Sequence, residues 1–413
     1  MGDRAVVVGA GAVGVSCAHF LAKVGFEVTV VDGGEVGRGC SYANAGLIVA
    51  SHNVPLPGPG VVREGLGYLG RRDGPFYIRP RPDPGLARWI RLFLGACGAE
   101  TRRRGAEALL ALSRPSLEIV DGLVRSGDAS FPYARGPLLS VYLSEDWEIA
   151  ARAEAVEQEE AGFTARVLGQ KEVRVVEPGV GSRVRGGVLV EDQAWGDCYA
   201  YVRSLADGLE RDGASILEGV EVGQVVVSHG RAEGVIAGDE ELPADVVVLA
   251  AGASTPVLVK PLGLRLPIQP ARGYSSTFSA WEGAPRTPLM VGEAHVVLTP
   301  IGDRIRFAGT LELGAQGRPP DPVRAGAVVS AGRKSLPEEV PLEDEETWFG
   351  YRPLTADDLP VIGWVPGVEG AIVAAGHGTL GFTQAAATGR VVAELASCED
   401  PSVPLEPFSP DRF

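Results

Sequence analysis

Gly9, Gly11 and Gly14 stand in Gly-x-Gly-x-x-Gly spacing directly after the continuous apolar run 5–8. The first glycine of that spacing permits a tight strand-to-helix turn, and the second lets the backbone approach a pyrophosphate. The third lets the helix pack closely on the strand. Free amides at the helix start, with Val13 in its first turn, would hold the phosphates with the help of the helix dipole. Asp32 ends the next strand about 20 residues on, where a carboxylate accepts hydrogen bonds from an adenosine ribose. Dinucleotide binding is the chemistry this implies. A second Gly-x-Gly-x-x-Gly runs from Gly376 to Gly381, again after an apolar strand and before a helix. No further strand or ribose-binding acid follows it, only a tail with Pro401, Pro404, Pro407 and Pro410. It is therefore not a second nucleotide site; its amides suit a different electron-rich group, or the turn merely packs a helix. Five scattered histidines without an HxxxH or His/Cys spacing argue against a metal site.

These motifs need elements to position them. Residues 5–8, 13–24 and 27–32 read as a βαβ unit. Residues 33–82, rich in Gly and Pro, read as irregular. Helical patterns follow at 84–98 and 101–126, then strands at 138–143 and 187–191 around a charged helix at 147–161. A helix at 198–211 leads to strands near 214–218, 222–229 and 231–237. Strand 245–250 is continuously apolar, short alternating runs dominate 265–349, and strand 371–375 precedes a helix at 379–397. Strands 5–8, 27–31, 245–250 and 371–375 share one buried character although they lie far apart. The simplest account is one discontinuous α/β unit interrupted by a mostly antiparallel one.

Composition sets outer bounds. The chain has 413 residues, 45% hydrophobic and 22% charged, with a formal net charge of −15. That excludes a disordered chain and gives no footprint for nucleic acid. Five cysteines without a CxxC pair suggest reduced thiols and a cytoplasmic setting. No apolar run reaches the roughly 18 residues of a membrane span. The stretch 86–94, with Trp89, Phe93, Arg88 and Arg91, reads first as a helix packed on its own domain and second as a peripheral membrane contact.

Ser41-Tyr42-Ala43-Asn44-Ala45-Gly46, Tyr351-Arg352-Pro353, Leu359-Pro360-Val361-Ile362-Gly363 and Gly376–Thr383 follow the first motif in that order. The ordered set resembles the D-amino-acid dehydrogenase branch of the D-amino-acid oxidase, glycine oxidase and sarcosine oxidase (DAO) family. The closing segment 407–413 is also similar to bacterial members near glyphosate oxidoreductase. The resemblance spans essentially the whole chain and is strongest at 1–60 and 345–413.

The resemblance implies FAD. Ser41, Asn44, Ala45, Gly46 and Leu47 would line the flavin and pyrophosphate. Val222 would meet the adenine through its backbone, and Ala251-Gly252 would close on the phosphates. Gly378, Thr379, Leu380 and Gly381 would cover the flavin's pyrimidine edge. Relatives that attach flavin covalently use a cysteine aligned with 350–353; this chain has none there, so the FAD is expected to be non-covalent. Arg352 sits where the family grips the substrate carboxylate, and a planar guanidinium suits that task. Tyr274 reads as a hydroxyl donor or lid, or as an ordinary strand aromatic. His295, loosely aligned with a tyrosine of relatives, and His52, after the flavin loop, are further candidates for substrate contact.

The expected architecture is a discontinuous Rossmann-like FAD-binding domain (1–80, 193–265 and 348–413) and an antiparallel substrate domain (81–192 and 266–347). The expected reaction is oxidative deamination of an amino acid, a D-amino acid by resemblance. A hydride leaves Cα for flavin N5, and water converts the imino acid to an oxo acid and ammonia. Oxidation of a secondary amine, a non-catalytic flavin subunit and a nicotinamide dehydrogenase are the alternatives. Oxygen, a quinone or another carrier would reoxidise the flavin; oligomeric state is left open.

Overall fold

Strands apolar at every position belong in a sheet covered on both faces. The computed structural model, which describes residues 3–68, 71–342 and 344–413, places them so. A six-stranded sheet runs in the order Val361–Trp364, Ala371–Ala375, Val246–Leu249, Arg4–Val8, Glu27–Asp32, Ser215–Glu218. Every neighbouring pair is parallel except Val361–Trp364 on Ala371–Ala375. Ala5 and Val7 point into a core shared with helices Ala12–Lys23, Cys198–Arg211 and Gly381–Ala396. Val6 and Val8 point the other way, onto Val222, Val225 and Val235 of a three-stranded antiparallel sheet. The distant apolar strands thus form one unit, as their shared character predicts.

A ten-stranded, mostly antiparallel sheet forms the second body. Its outer strand Asp344–Thr355 pairs with Ile268–Ser279, which pairs in turn with Arg304–Leu313 and then Val296–Ile301. Two elements link the bodies. Leu47–Ile48 leaves the nucleotide-binding half to pair with Gly186–Gly196 of the large sheet. Helix Ala99–Ser126 buries Leu109, Leu112 and Val120 in the same core as Ala12–Lys23 and Gly381–Ala396. There Gln384 Nε2 donates to Ser113 Oγ at 3.1 Å.

Several elements depart from the sequence reading. The irregular region holds Leu47–Ile48, Val61–Gly67 and Phe76–Ile78. Ala165–Gly169, Gln170–Val176 and Pro322–Arg333 are further elements that the pattern did not disclose. Helix Pro84–Ala96 buries Leu86 and Trp89 against Ala271 and Leu354, and Trp89 Nε1 donates to the Leu354 carbonyl at 2.9 Å. Its other side leaves Leu94 50% exposed. No helix among the described residues is long and apolar enough to cross a membrane.

Candidate active site

A cavity of about 1290 Å3 lies between the two sheets. That exceeds the roughly 300–1,000 Å3 of a small-ligand pocket and leaves room for a dinucleotide beside a substrate. On the parallel-sheet side it is lined by Gly9, Gly11, Val13, Asp32, Val222 and the Ala251-Gly252 turn. Gly9 has φ +111, and a Cβ there would strike the Ala250 carbonyl. Gly14 stands behind the lining; its missing side chain lets the helix rest on the Gly9 carbonyl. Asp32 Oδ2 accepts from Ala10 N at 2.7 Å and Oδ1 from Gly34 N at 2.8 Å, which fixes the carboxylate at the strand end. A carboxylate has about four acceptor sites, so two stay open for ribose hydroxyls. Ser41 Oγ accepts from Ala12 N at 3.0 Å, tying the next loop to the helix start where phosphates bind.

The loop 41–49 carries Asn44, Ala45, Gly46 and Leu47 along the cavity. Three buried side chains of the large sheet hold its carbonyls. Ser275 Oγ donates to Ala43 O at 2.7 Å, Thr299 Oγ1 to Ala45 O at 2.6 Å and Arg306 Nη1 to Asn44 O at 3.2 Å. Sequence reasoning missed all three. Thr299 is a polar residue in the otherwise apolar strand Val296–Ile301, whereas Ser275 and Arg306 lie in strands of mixed composition that give no such signal. Gly378, Thr379, Leu380 and Gly381 also line the cavity, and Thr383 Oγ1 accepts from Val49 N at 3.1 Å, joining this turn to the loop. Asp358, also unforeseen, faces the cavity beside Gly378 and accepts from Leu56 N at 2.8 Å; burial pushes its carboxyl up to about 7.

Arg352, His52 and His295 line the large-sheet side. Among the described residues the Arg352 guanidinium donates one hydrogen bond, Nη1 to the Thr310 carbonyl at 2.9 Å. Among the described residues it has no carboxylate in ion-pair reach, and burial pulls its pKa below the ordinary guanidinium value. Arginine stays charged regardless, so a cation faces the cavity with most of its donors open. The other guanidiniums that line the cavity are engaged. Arg38 lies 4.2 Å from the Tyr42 ring centroid and 3.3 Å from Glu35; Arg102 pairs with Glu157 at 3.2 Å. Removal from bulk water, with His295 nearby, holds the His52 imidazole below its usual pKa.

Tyr274 is not part of this wall. Its hydroxyl accepts from Asp321 N at 2.8 Å and donates to Glu312 Oε2 at 3.1 Å, and the side chain is 2% exposed. The reason is strand alternation: Gly273 faces the cavity under Arg352, so Arg272 and Tyr274 turn to the opposite face. Tyr274 is therefore neither a donor to the substrate nor a lid over it.

His377 is buried in the glycine turn, its Nε2 2.9 Å from Thr388 Oγ1, and desolvation lowers its pKa from 6.5 to about 3. It stays neutral and orients the turn. Because the unfolded chain takes up this proton near pH 6.5 and the folded protein only near 3, stability is complete above that window and falls as pH drops through it. The loss reaches at most about 2 kcal/mol at pH 5. The drop in Tm between pH 7.5 and 5.0 should therefore be larger in the wild type than in His377→Gln, which cannot titrate. Equal drops would show that His377 carries no such linkage.

A parallel sheet with this glycine turn, an acid at the next strand end and a roofing antiparallel sheet define a dinucleotide-dependent oxidoreductase of two-layered site. Residues 4–395 match the model of the DAO family, FAD dependent oxidoreductase, and the chain belongs to that family. Its cofactor is FAD. The chain is 35% identical to a D-amino acid dehydrogenase of Paramagnetospirillum magneticum over 99% of both chains. It is 33% identical to D-amino acid dehydrogenase 2 of Pseudomonas aeruginosa, covering 98% of this chain and 97% of that one. Among solved structures, glycine oxidase from Bacillus cereus superposes with a TM-score of 0.76 at 20% identity, over 97% and 96% of the two chains. L-proline dehydrogenase from P. horikoshii gives 0.78 at 22%, over 100% and 98%.

Proposed function

We propose that the protein is an amino-acid dehydrogenase that oxidises the Cα–N bond of D-amino acids with non-covalently held FAD. The observation that carries this reading is the Arg352 guanidinium, open in the cavity wall and without a carboxylate partner among the described residues. FAD supplies the two-electron acceptor for the hydride at Cα. Gly9, Gly11, Val13, Asp32 and Ser41 would hold its nucleotide half, and the segments 44–47 and 378–381 its ring. Arg352 would take the substrate carboxylate through two parallel hydrogen bonds, which fixes Cα and so orients its C–H. Met290, Val297 and Leu311 give that side of the cavity an apolar wall that excludes water. His52 and His295 would stand around the substrate side chain. A division into two parts belongs to this reading, with the helix Ala99–Ser126 and strand Leu47–Ile48 as bridges. The expected cuts at 192 and 347 fall inside strands Gly186–Gly196 and Asp344–Thr355 of the large sheet, so those bounds move to the strand ends.

The electron acceptor, oxygen or a quinone or another carrier, would reach the site past Pro59, Val61 and Phe93. Leu56, Val62 and Leu94 are 39%, 43% and 50% exposed in these same segments. Such an apolar rim suits a peripheral contact with the inner face of a membrane by a cytoplasmic protein.

The test uses the purified yellow protein. Heat or acid should release all of its FAD into the supernatant. Under anaerobic conditions D-alanine, D-proline and D-phenylalanine should bleach it faster than D-glutamate. Among the described residues of the cavity wall Arg352 is the one guanidinium left open, and it serves one carboxylate. L-enantiomers should leave it yellow. Bleaching by L-amino acids alone, or by none of the panel, would overturn the reading.

A further inference from the structure

We propose that Gly273 and Thr310 are positioning residues for Arg352: together they form a track across three strands that fixes where its guanidinium stands. The inference rests on the carboxylate role of Arg352 proposed above. Strand Ile268–Ser279 lies between Asp344–Thr355 and Arg304–Leu313. Arg352 belongs to the first outer strand, directly opposite Ala271. Its Nη1 nevertheless reaches the Thr310 carbonyl on the strand beyond, at 2.9 Å. The side chain must therefore cross the middle strand. It crosses at Gly273, the diagonal neighbour on the same face, where even a methyl group would overlap the guanidinium. Ala271, beside the crossing, is the smallest side chain that a strand residue other than glycine can offer.

The acceptor at the far end is equally particular. Carbonyls of a regular strand lie in the sheet and are committed to the ladder. Thr310 has φ +59, and the pairing slips there from Tyr274 with Gly309 to Arg272 with Glu312. This bulge takes the Thr310 carbonyl out of the ladder and aims it at the cavity face. A buried ionic cluster holds the bulge from behind. The Thr310 hydroxyl accepts from Arg324, a side chain with no exposure, whose Nη1 donates to the Arg72 carbonyl at 2.9 Å. Glu312, also without exposure, lies 3.9 Å from Arg324 Nε and accepts from Arg79 Nε at 2.5 Å. One edge of the guanidinium is thus fixed to the protein, and the remaining donors present one defined geometry to a carboxylate. An arginine without this track would swing on a flexible stem.

The experiment uses the holoenzyme and the D-amino acid that bleaches it fastest, with pyruvate as a non-reacting carboxylate probe titrated by the flavin absorption change. In Gly273→Ala the clash falls on the far end of a flexible side chain, so FAD occupancy and Tm should stay near wild type. KM and the pyruvate Kd should rise about tenfold or more, from the lost alignment of charge-assisted bonds. In an Arg352→Met background the same glycine change should add less than about twofold, since it acts only through Arg352. Thr310→Val and Thr310→Gly both lose the hydroxyl, but only glycine accepts the positive φ freely. Both should raise KM through the lost Arg324 contact, and valine should raise it several-fold more than glycine because it also strains the positive φ. A neutral Gly273→Ala, a full effect retained in the Arg352→Met background, or equal behaviour of the two Thr310 variants would each overturn the inference. If Arg352→Met itself leaves KM unchanged, the carboxylate reading fails; if it is impaired while Gly273→Ala is neutral, only the positioning track fails.

Discussion

Arg352→Met is expected to lower kcat/KM for D-amino acids by on the order of 10^2- to 10^4-fold while FAD stays bound. Each hydrogen bond to a charged group is worth about 1.5–3 kcal/mol, and a guanidinium offers two in parallel to one carboxylate. The loss should divide between KM and kcat. Without the clamp the substrate binds weakly, and the molecules that do bind no longer present Cα–H in one orientation. Arg352→Lys should fall between, because the ammonium keeps the charge and loses the planar fork. Steady-state kinetics with an artificial electron acceptor, alongside the 450 nm flavin absorbance, separates these effects. Wild-type kinetics in Arg352→Met with full FAD occupancy would show that the residue only braces Thr310.

The sequence disclosed those parts of the molecule in which one residue type answers one local demand. Gly9 and Gly14 were legible because a strained turn and a close helix approach admit nothing larger, and Asp32 because a strand end fixes its place. Four of the six strands of the parallel sheet were legible because burial on both faces leaves little polar alternation. The large sheet was harder, since its strands pair across long stretches of chain, as Leu47–Ile48 does with Gly186–Gly196. Helix Pro322–Arg333 carried a start signal that went unread: Asp321 accepts from Val323 N at 3.1 Å, and Pro322 follows it. Tyr274 shows a third limit. Its residue type suited a lid, but strand register alone decides the face, and the glycine beside it already marked the cavity side. Asp358 and the carbonyl-holding trio Ser275, Thr299 and Arg306 depend on partners more than 200 residues away, and spacing carries no trace of that.

Gly14→Ala should all but abolish FAD binding, raising its Kd by about 100-fold or more. A Cβ at this position would overlap the Gly9 carbonyl and sit 3.5 Å from the Ala250 side chain. The obstacle is backbone, so relief requires the helix Ala12–Lys23 to move off strand Arg4–Val8. Such overpacking costs about 1–3 kcal/mol of stability by itself. The larger effect follows from what the helix start carries. Its Ala12 amide is tied to Ser41, and the Gly11 turn lines the cavity where the pyrophosphate would lie. Displacing that turn spoils several anion contacts at once, whereas the stability cost stays that of one methyl group. Gly25→Ala supplies the control. Gly25 has φ +99, and an added methyl would meet nothing within 4 Å, so alanine there strains the backbone without touching the site. It should cost about 1–2 kcal/mol in stability and leave FAD affinity intact. Absorbance ratios at 450 and 280 nm, FAD titration by fluorescence quenching, and Tm with and without added FAD distinguish the two variants. Full FAD occupancy in Gly14→Ala would show that the close helix–strand approach does not build the phosphate site.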